Sequence, residues 1–219
     1  MHVKDVMTTD VVTLKPDSSL KDAARTLVER GISGLPVCDE KGRVVGVLSE
    51  ADLLYKEAGP PRPYRLLERL TEPRTLDAYV KPDAMSVREA MTRPAVTIGS
   101  NRPLAEAARL LVAKRLKRLP VVDDGALVGI VTRADLVRAF ARPDADIARE
   151  LRDDVLARTL WIDPSDLVVD VNDGHVVLRG VVETKTETQL VERLAARVPG
   201  VVSVTSELTS RDRKRVRAG

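Results

Sequence analysis

The sequence predicts an α+β fold in which a β-α-β-β-α unit occurs twice and a small α-β-β-α-β domain follows. Three observations lead to this prediction: an internal repeat, helix-type spacing of apolar residues in each copy, and strand-type alternation further along the chain. With 219 residues, 43% of them hydrophobic, the chain is long enough for more than one packed core.

The internal repeat has a spacing of 84 residues, as between Met7 and Met91 (91 − 7 = 84). Matching segments include Val12-Thr13 with Val96-Thr97, Ala23-Ala24-Arg25 with Ala107-Ala108-Arg109, and Leu35-Pro36-Val37 with Leu119-Pro120-Val121. After a one-residue deletion the match continues, with Thr132 in the place of Ser49. A register kept over this length indicates that one structural unit is duplicated.

Each copy combines strand and helix patterns. In the first copy, apolar residues recur at the spacing of an amphipathic helix, namely Leu20, Ala23, Ala24, Leu27 and Val28. A strand is predicted before this helix, at residues 11–14 and again at 95–98. Two strands that turn at Gly42 or Gly125 follow it, and then a second helix begins. Because one copy alone has little core, we expect the copies to pack face to face as a pseudo-two-fold pair.

The copies resemble the cystathionine-β-synthase (CBS) domain family, whose tandem copies form a Bateman module. In the first copy the resemblance is carried by Gly31-Ile32-Ser33-Gly34-Leu35-Pro36-Val37 and Val45-Gly46-Val47-Leu48-Ser49-Glu50-Ala51-Asp52-Leu53. In the second it is carried by Arg115-Leu116-Lys117-Arg118-Leu119-Pro120-Val121 and Val128-Gly129-Ile130-Val131-Thr132-Arg133-Ala134-Asp135-Leu136. We place the repeats at residues 1–58 and 85–142. The connector, residues 59–84, is predicted to contain a short helix at 64–70.

The motifs Ser49-x-x-Asp52 and Thr132-x-x-Asp135 stand where a strand ends and a helix begins. By themselves they are capping boxes, whose side chains satisfy free backbone N–H groups. The same position also suits a ligand, because a helix N-terminus attracts anions, a hydroxyl donates to phosphate and a carboxylate accepts from ribose hydroxyls. The residues alone leave both interpretations open.

The resemblance implies that each repeat binds an adenosine phosphate, with AMP, ADP and ATP as the expected regulatory ligands. Carried over, the ligand-binding residues of the first repeat are Val12, Thr13, Ile32, Leu35, Pro36, Ser49 and Asp52. Those of the second are Val96, Thr97, Leu116, Lys117, Arg118, Leu119, Pro120, Thr132, Arg133 and Asp135. The alternative for the aliphatic positions is that they are simply core residues.

The two clefts are expected to differ in charge. Where the first copy has Ser33, Gly34 and Glu50, the second has Lys117, Arg118 and Arg133. Basic residues favour a phosphate, whereas a glutamate in the first helical turn repels it. We therefore expect the second cleft to bind a phosphorylated ligand more tightly. Because Arg115 replaces the glycine at position 31, the second cleft is also expected to differ in shape.

A different pattern starts after residue 143. A helix with apolar residues about four apart is followed by alternating residues on both sides of Asn172-Asp173-Gly174, which is typical of a hairpin. A second helix capped by Thr184 and Glu187, a stop at Pro199-Gly200 and a strand at residues 201–208 complete the domain. This order, with Asp173-Gly174-His175-Val176-Val177-Leu178-Arg179-Gly180, resembles a BON domain over residues 143–209. A basic tail follows at residues 210–219.

The composition argues against several classes of protein. The net charge is only +3 and aromatic residues make up 2% of the chain, so nucleic acid is not expected as a partner. His2 and His175 lie in different predicted domains, which gives no metal site. Cys38 aligns with Val122 and is expected to be a buried thiol, not a nucleophile. Without a Gly-x-x-x-x-Gly-Lys loop, a nucleotide is expected to be sensed and not hydrolysed.

These observations predict a non-catalytic, cytoplasmic regulatory protein with no cofactor. The resemblance to CBS domains implies that it binds an adenine nucleotide and forms a homodimer through the second helices at residues 51–58 and 134–140. We expect it to relay binding to the third domain or to an unknown protein partner. The alternative is a membrane-surface adaptor, peripheral to the membrane, in which the BON-like domain and the basic tail bind phospholipid and the repeats only dimerise.

Overall fold

The computed structural model describes residues 1–58 and 84–212 of the chain. The predicted short helix at residues 64–70 and the tail beyond Asp212 lie outside these residues. The described chain forms two compact units. The first unit contains Met7–Arg102 and Leu116–Val131, and the second contains Met1–Val6, Pro103–Arg115 and the chain from Thr132 onward. The fold is α+β, as predicted from the sequence.

The first unit holds most of the first repeat and the two strands of the second. Its elements are helix α1 (Leu20–Arg30), strands β1 (Gly34–Cys38) and β2 (Val44–Ser49), helices α2 (Glu50–Ala58) and α3 (Val87–Ala90), and strands β3 (Arg118–Asp123) and β4 (Ala126–Thr132, the last residue of which belongs to the second unit). Strand β1 pairs with β2 in antiparallel fashion, and β3 pairs with β4. Helix α1 begins at the N-cap Ser19 and ends at Gly31, whose φ of 61° suits glycine.

The N-terminal segment of each repeat pairs with the hairpin of the other repeat. Thr8 pairs with Ile130 in β4, and the equivalent Thr92 pairs with Val47 in β2. The methionine before each threonine packs over a glycine of the same strand, so that a Cβ built on Gly46 or on Gly129 would lie 2.5 Å from a methionine sulfur. This reciprocal exchange accounts for the repetition of Met-Thr and Gly at matching positions.

The strands predicted before the first helix of each repeat are shorter than expected. Each is a single parallel bridge, Leu14 with Val37 and Ile98 with Val121. The physical reason is that the first segment passes from one hairpin to another. It pairs with β4 at Thr8 and with β1 at Leu14, so residues 9–13 do not stay beside one strand long enough to form a ladder.

The apolar stripes of the first helices are only partly buried. Leu20, Ala23 and Leu27 of α1 belong to the core, whereas Val28 is 81% exposed. In helix α4 (Leu104–Ala113) of the second unit, the equivalent Val112 is 74% exposed. The periodicity therefore predicted the helices correctly but assigned one residue too many to each buried face.

The second unit contains the two helices of the second repeat and the third domain. Its elements are α4, α5 (Arg133–Phe140), α6 (Asp144–Glu150) with a π-helical continuation (Leu151–Leu160), β5 (Leu167–Asn172), β6 (His175–Val182), α7 (Lys185–Ala195) and β7 (Ser203–Ser210). The sheet has the order β5-β6-β7, with β5 antiparallel and β7 parallel to β6. Its core joins residues of all three strands to the helices, among them Ile147, Leu151, Val169, Leu178 and Val191.

The predicted hairpin and helix cap of this domain are present. Asp173 and Gly174, with φ values of 54° and 73°, form the two-residue turn between β5 and β6. The Thr184 side chain accepts from the Glu187 N–H, while the Glu187 carboxylate accepts from Glu183 instead of closing the predicted box. Strand β7 begins two residues later than predicted because Gly200, with a φ of 93°, lies in a turn in which the Val201 N–H donates to the Val198 carbonyl.

An ion-pair cluster in the second unit is centred on Glu150, the last residue of α6. Glu150 accepts from the Met1 ammonium at 2.7 Å and from the Arg142 guanidinium at 2.5 Å. Burial acts to raise the pKa of Glu150, but these two cations outweigh it and hold the pKa below its ordinary value. The cluster ties the end of the second repeat to the first helix of the third domain.

Candidate functional site

In the first repeat, the Asp52 side chain closes back on the backbone of Ser49, which is one half of the capping box expected from the sequence. Asp52 Oδ2 accepts from the Ser49 backbone N–H at 2.6 Å and from the Ser49 hydroxyl at 2.7 Å. The other carboxylate oxygen, Oδ1, accepts from the Thr92 hydroxyl at 3.3 Å. Asp52 is 6% exposed, so a negative charge sits at the N-terminus of α2 with little access to solvent. A buried charge of this kind needs the hydrogen bonds that it receives.

Arg118 lies beside this first-repeat box. Its guanidinium donates to the Gly34 carbonyl at 2.5 Å and to the Ser33 hydroxyl at 2.6 Å, and the residue is 9% exposed. Burial lowers the pKa of Arg118, whereas the negative charges of Glu50 and Asp52 act in the opposite direction. Arg118 was expected to contribute its charge to the second cleft, but both of these hydrogen bonds join it to residues of the first repeat.

Arg118 can lie against the first repeat because the equivalent position there, residue 34, is a glycine. Gly34 and Arg118 are 84 residues apart (118 − 34 = 84), and a Cβ built on Gly34 would lie 2.5 Å from Arg118 Nη1. The space that a side chain at position 34 would occupy is filled by the guanidinium of its counterpart. One large side chain fits there and two do not.

The capping box of the second repeat has the same local geometry but another outer partner. Asp135 Oδ2 accepts from the Thr132 backbone N–H at 2.8 Å and from its hydroxyl at 2.7 Å. Asp135 Oδ1 accepts from the Arg138 guanidinium at 2.9 Å, and the side chain of Arg138 is 75% exposed. Where Asp52 meets a neutral hydroxyl, Asp135 meets a cation.

The remaining predicted residues divide into core and surface positions. Leu35 and Leu119 are buried at 1% and 0% exposure, next to the buried prolines 36 and 120, so a core role accounts for them. Half-buried positions of the first unit are Val12, Ile32, Val96, Thr97 and Leu116. Thr13 and Lys117 are exposed. Val12 and Ile32 also pack against the core of the first repeat.

The second-repeat residues fall in different units. Val96, Thr97 and the residues from Leu116 to Pro120 belong to the first unit, whereas Thr132, Arg133 and Asp135 belong to the second. Arg133 is exposed and donates to the Leu111 carbonyl near the end of α4 at 3.3 Å. This bond directs one of its nitrogens to a helix C-terminus, where a cation is favoured.

Sequence reasoning missed two side chains of the first site, Thr92 and Ser33. Thr92 supplies the hydroxyl to the outer oxygen of Asp52, and Ser33 supplies the hydroxyl that holds Arg118. The repeated Met-Thr dipeptide at positions 7–8 and 91–92 was the available indication for Thr92. Nothing in the sequence pattern indicated Ser33, because its role depends on a residue 85 positions away.

Cys38 is buried in β1, and burial together with the neighbouring Asp39 raises the pKa of its thiol. A cavity of about 250 Å³ lies next to it, at the turn end of the β1–β2 hairpin, and Thr13 is among its lining residues. Within residues 1–58 and 84–212, no three His, Cys, Asp or Glu side chains are grouped in a way that would hold a metal ion. In the same part of the chain, no helix is both long and apolar enough to cross a membrane.

Comparison with known proteins identifies both parts of the chain. The CBS domain matches residues 3–59 and 87–142, and the BON domain matches residues 143–212. This chain belongs to the CBS-domain family. Two CBS domains are followed by a BON domain, as the sequence motifs indicated.

The relatives of the CBS pair include an archaeal and a plant protein. An uncharacterised protein of Methanocaldococcus jannaschii, MJ1426, is 35% identical in an alignment of 154 residues, and the match covers 64% of this chain and 91% of that protein. The chloroplastic CBS domain-containing protein CBSX2 of Arabidopsis thaliana is 34% identical in an alignment of 146 residues, and the match covers 58% of this chain and 57% of that one.

Two solved structures of CBS pairs carry bound ligands. CBSX2 in complex with AMP has a TM-score of 0.50 and 36% identity, and the match covers 63% of this chain and 94% of that chain. The CBS pair of protein MJ0100, in complex with 5′-methylthioadenosine and S-adenosyl-L-methionine, has a TM-score of 0.52 and 27% identity, covering 64% and 95%. Both structures contain adenosine-based ligands.

Proposed function

We propose that this protein is a non-catalytic, cytoplasmic regulator whose CBS pair binds an adenine nucleotide. The observation that carries the proposal is the Ser49–Asp52 box, in which a carboxylate with 6% exposure lies at the N-terminus of α2. Ribose hydroxyls would replace the Thr92 hydroxyl at Asp52 Oδ1, because a weak bond of 3.3 Å is readily exchanged for better ones. The Ser49 hydroxyl and the helix N-terminus would face the phosphate.

The neighbouring guanidinium supports a phosphorylated ligand at this first site. Arg118 is held by Ser33 and Gly34, and its charge offsets the repulsion that Glu50 would exert on a phosphate. The adenosine-based ligands of CBSX2 and of the MJ0100 pair support the same ligand class. Val12 and Ile32, both half-buried, are the proposed adenine contacts of the first repeat.

A thermal-shift panel on the full chain tests the proposal, with AMP, ADP, ATP, 5′-methylthioadenosine and S-adenosyl-L-methionine as ligands. A ligand at about a hundred times its dissociation constant should add roughly 2.7 kcal/mol of stability. The Asp52→Ala variant should lose most of this gain, and Asp166→Ala, an exposed residue of the BON domain, is the matched control. No stabilisation by any of the five ligands would contradict the proposal.

We further propose that the chain forms a homodimer through the second helices of its repeats. Leu54 of α2 and its repeat equivalent Val137 of α5 are each 67% exposed, and Phe140 is 56% exposed. Apolar side chains repeated at matching surface positions are typical of an interface. Light scattering at tens of micromolar should give twice the 24.0 kDa of the chain, and a monomer would refute the dimer.

We also propose the following domain limits: repeats at residues 1–58 and 85–142, a connector at 59–84, the BON domain at 143–209 and a basic tail at 210–219.

We expect residues 1–142 to fold alone, although this fragment would lack Glu150, the partner of Arg142. Expression of the fragment with cooperative thermal unfolding is the expected outcome. A molten or aggregated fragment would show that the repeats depend on the third domain.

A second candidate function has one observation in its favour. Trp161, the one tryptophan of the sequence, is 89% exposed in the BON domain, and tryptophan is favoured at membrane interfaces. As a membrane-surface adaptor, the protein would co-sediment with anionic liposomes, with loss of binding in Trp161→Ala and on deletion of residues 144–219. Failure to bind liposomes would leave the regulatory proposal, in which the BON domain contacts a protein partner.

A further inference from the structure

Strand β7 has one open edge. It pairs with β6 over eight residues, and no other strand of the described chain lies beside it. The Arg211 N–H donates to the Val182 carbonyl, next to the paired Val182 and Ser210. In a parallel ladder, the N–H and C=O groups of successive residues point alternately to one side of the strand and to the other. Those of Thr205, Glu207 and Thr209 therefore point to β6, as the N–H of Arg211 does. Those of Val204, Ser206 and Leu208 point to the open edge.

A groove of about 790 Å³ runs beside this edge. Its lining consists of Gln189, Glu192 and Arg193 of α7 and the C-cap residue Ala196, together with Val204 and Ser206 from β7. The Ser206 hydroxyl is buried and has no hydrogen-bond partner in the described part of the chain. A buried hydroxyl without a partner is costly, and an open strand edge is a template for another strand.

We propose that a second copy of this chain occupies the edge, with the two β7 strands antiparallel and centred on Ser206. The two three-stranded sheets would then join into one sheet of six strands. The two Ser206 hydroxyls would lie opposite each other and satisfy each other, and Val204 would lie opposite Leu208 of the second copy. Apolar pairs of this kind stabilise neighbouring strands.

The charges on α7 favour this occupant. In an antiparallel pair of α7 helices whose two-fold axis lies between positions 192 and 193, Glu192 faces Arg193 of the second copy, and the pair occurs twice (192 + 193 = 189 + 196 = 385). Gln189 faces the small Ala196 by the same symmetry. Moving the strand register by one residue, to a centre at Glu207, would place two glutamates opposite each other, which is unfavourable.

The contact involves the BON domain alone and is independent of the dimer proposed for the repeats. Disulfide trapping in the full chain distinguishes the two, because Cα atoms of an antiparallel pair are about 5.5 Å apart, within the range of a disulfide. We expect Ser206→Cys to form a covalent dimer on mild oxidation. Native Cys38 is buried and serves as background.

Thr209→Cys is the matched control, since the proposed register places Thr209 opposite Ser203 of the second copy and far from the other Thr209. A Ser206→Cys protein that forms no covalent dimer, or that is trapped no better than Thr209→Cys, would overturn the proposal. Absence of a covalent dimer would also be found if another segment of the same chain covered the edge. In that case, too, a second copy could not occupy the edge.

A charge reversal tests the register without touching β7. Glu192→Arg and Arg193→Glu should each reduce the yield of the Ser206→Cys dimer by about tenfold, because each replaces two attractions by two repulsions. The double variant carrying both changes restores the complementary pairs and should recover the yield. If both single variants behave as the parent, or if the double variant is not rescued, the proposed helix pairing is wrong.

Discussion

The two capping boxes of this protein have the same backbone arrangement but lie in different surroundings. Ser49–Asp52 and Thr132–Asp135 share the same two hydrogen bonds within 0.2 Å, yet the outer oxygen of Asp52 meets a threonine hydroxyl and that of Asp135 meets an arginine. A duplicated motif therefore reproduces its local geometry, whereas residues outside the motif determine the partner of the outer carboxylate oxygen.

From the surroundings of Arg118, we expect the first cleft, and not the second, to bind the nucleotide more tightly. Arg118 was counted for the second cleft, but its guanidinium lies with Ser33 and Gly34 of the first repeat. We now expect Asp52→Ala to weaken the tighter nucleotide site by about ten- to a hundredfold, the value of a charge-assisted hydrogen bond, and Asp135→Ala to weaken only the looser one. Titration calorimetry on both variants measures this. If Asp135→Ala removes the tight site and Asp52→Ala leaves it, the sequence-based order was right.

The next largest effect concerns the pairing of glycine and arginine. Gly34→Ala should destabilise the fold by about 1–3 kcal/mol, because the new methyl group meets the Arg118 guanidinium and the Leu48 carbonyl. Arg118→Gly in the same chain should recover part of this loss. Chemical denaturation of the four proteins of the double-mutant cycle gives the coupling, and strictly additive effects would mean that the two positions do not compete for one space.

Where the repeats are alike, matching substitutions should have matching effects. A Cβ on Gly46 or on Gly129 meets a methionine sulfur at 2.5 Å and a threonine carbonyl at 3.1 or 3.0 Å. Gly46→Ala and Gly129→Ala should therefore each cost about 1–2 kcal/mol, with a difference below about 0.5 kcal/mol. Unequal thermal unfolding midpoints of the two variants would show that the two N-terminal segments contribute unequally to stability.

The smallest effect is expected at Arg138. Its side chain is 75% exposed, so its ion pair with Asp135 contributes less than about 0.5 kcal/mol to stability. Removing it in Arg138→Ala frees one carboxylate oxygen for a ribose, and binding at the second site should strengthen by a few-fold. Arg149→Ala, which removes a similarly exposed i,i+3 pair with Asp146, is the control for stability. Weaker nucleotide binding in Arg138→Ala would mean that the arginine itself contacts the ligand.

The sequence by itself determined the duplication, the two capping boxes, the hairpin at Asp173-Gly174 and the order of elements in the third domain. These features depend on short-range physics: turn residues with positive φ, caps within one helical turn and the period of apolar residues. They are encoded within a few positions of where they act. The bounds of the elements were less well predicted. Strand β7 begins late because the turn at Gly200 extends to Val201, and the bridges at Leu14 and Ile98 are short because the neighbouring strand changes along the segment.

Only the tertiary structure decided which side chains meet across the repeats. Arg118 is 84 positions from Gly34, and Thr92 is 40 positions from Asp52. The repeated Met-Thr dipeptide marks Thr92, but no local pattern indicates the partner of either residue. The same holds for Val28 and Val112, whose place in the apolar stripe did not make them core residues. Periodicity tells which face of a helix is apolar, but the area that a neighbour covers depends on packing. That packing exists only after the chain has folded.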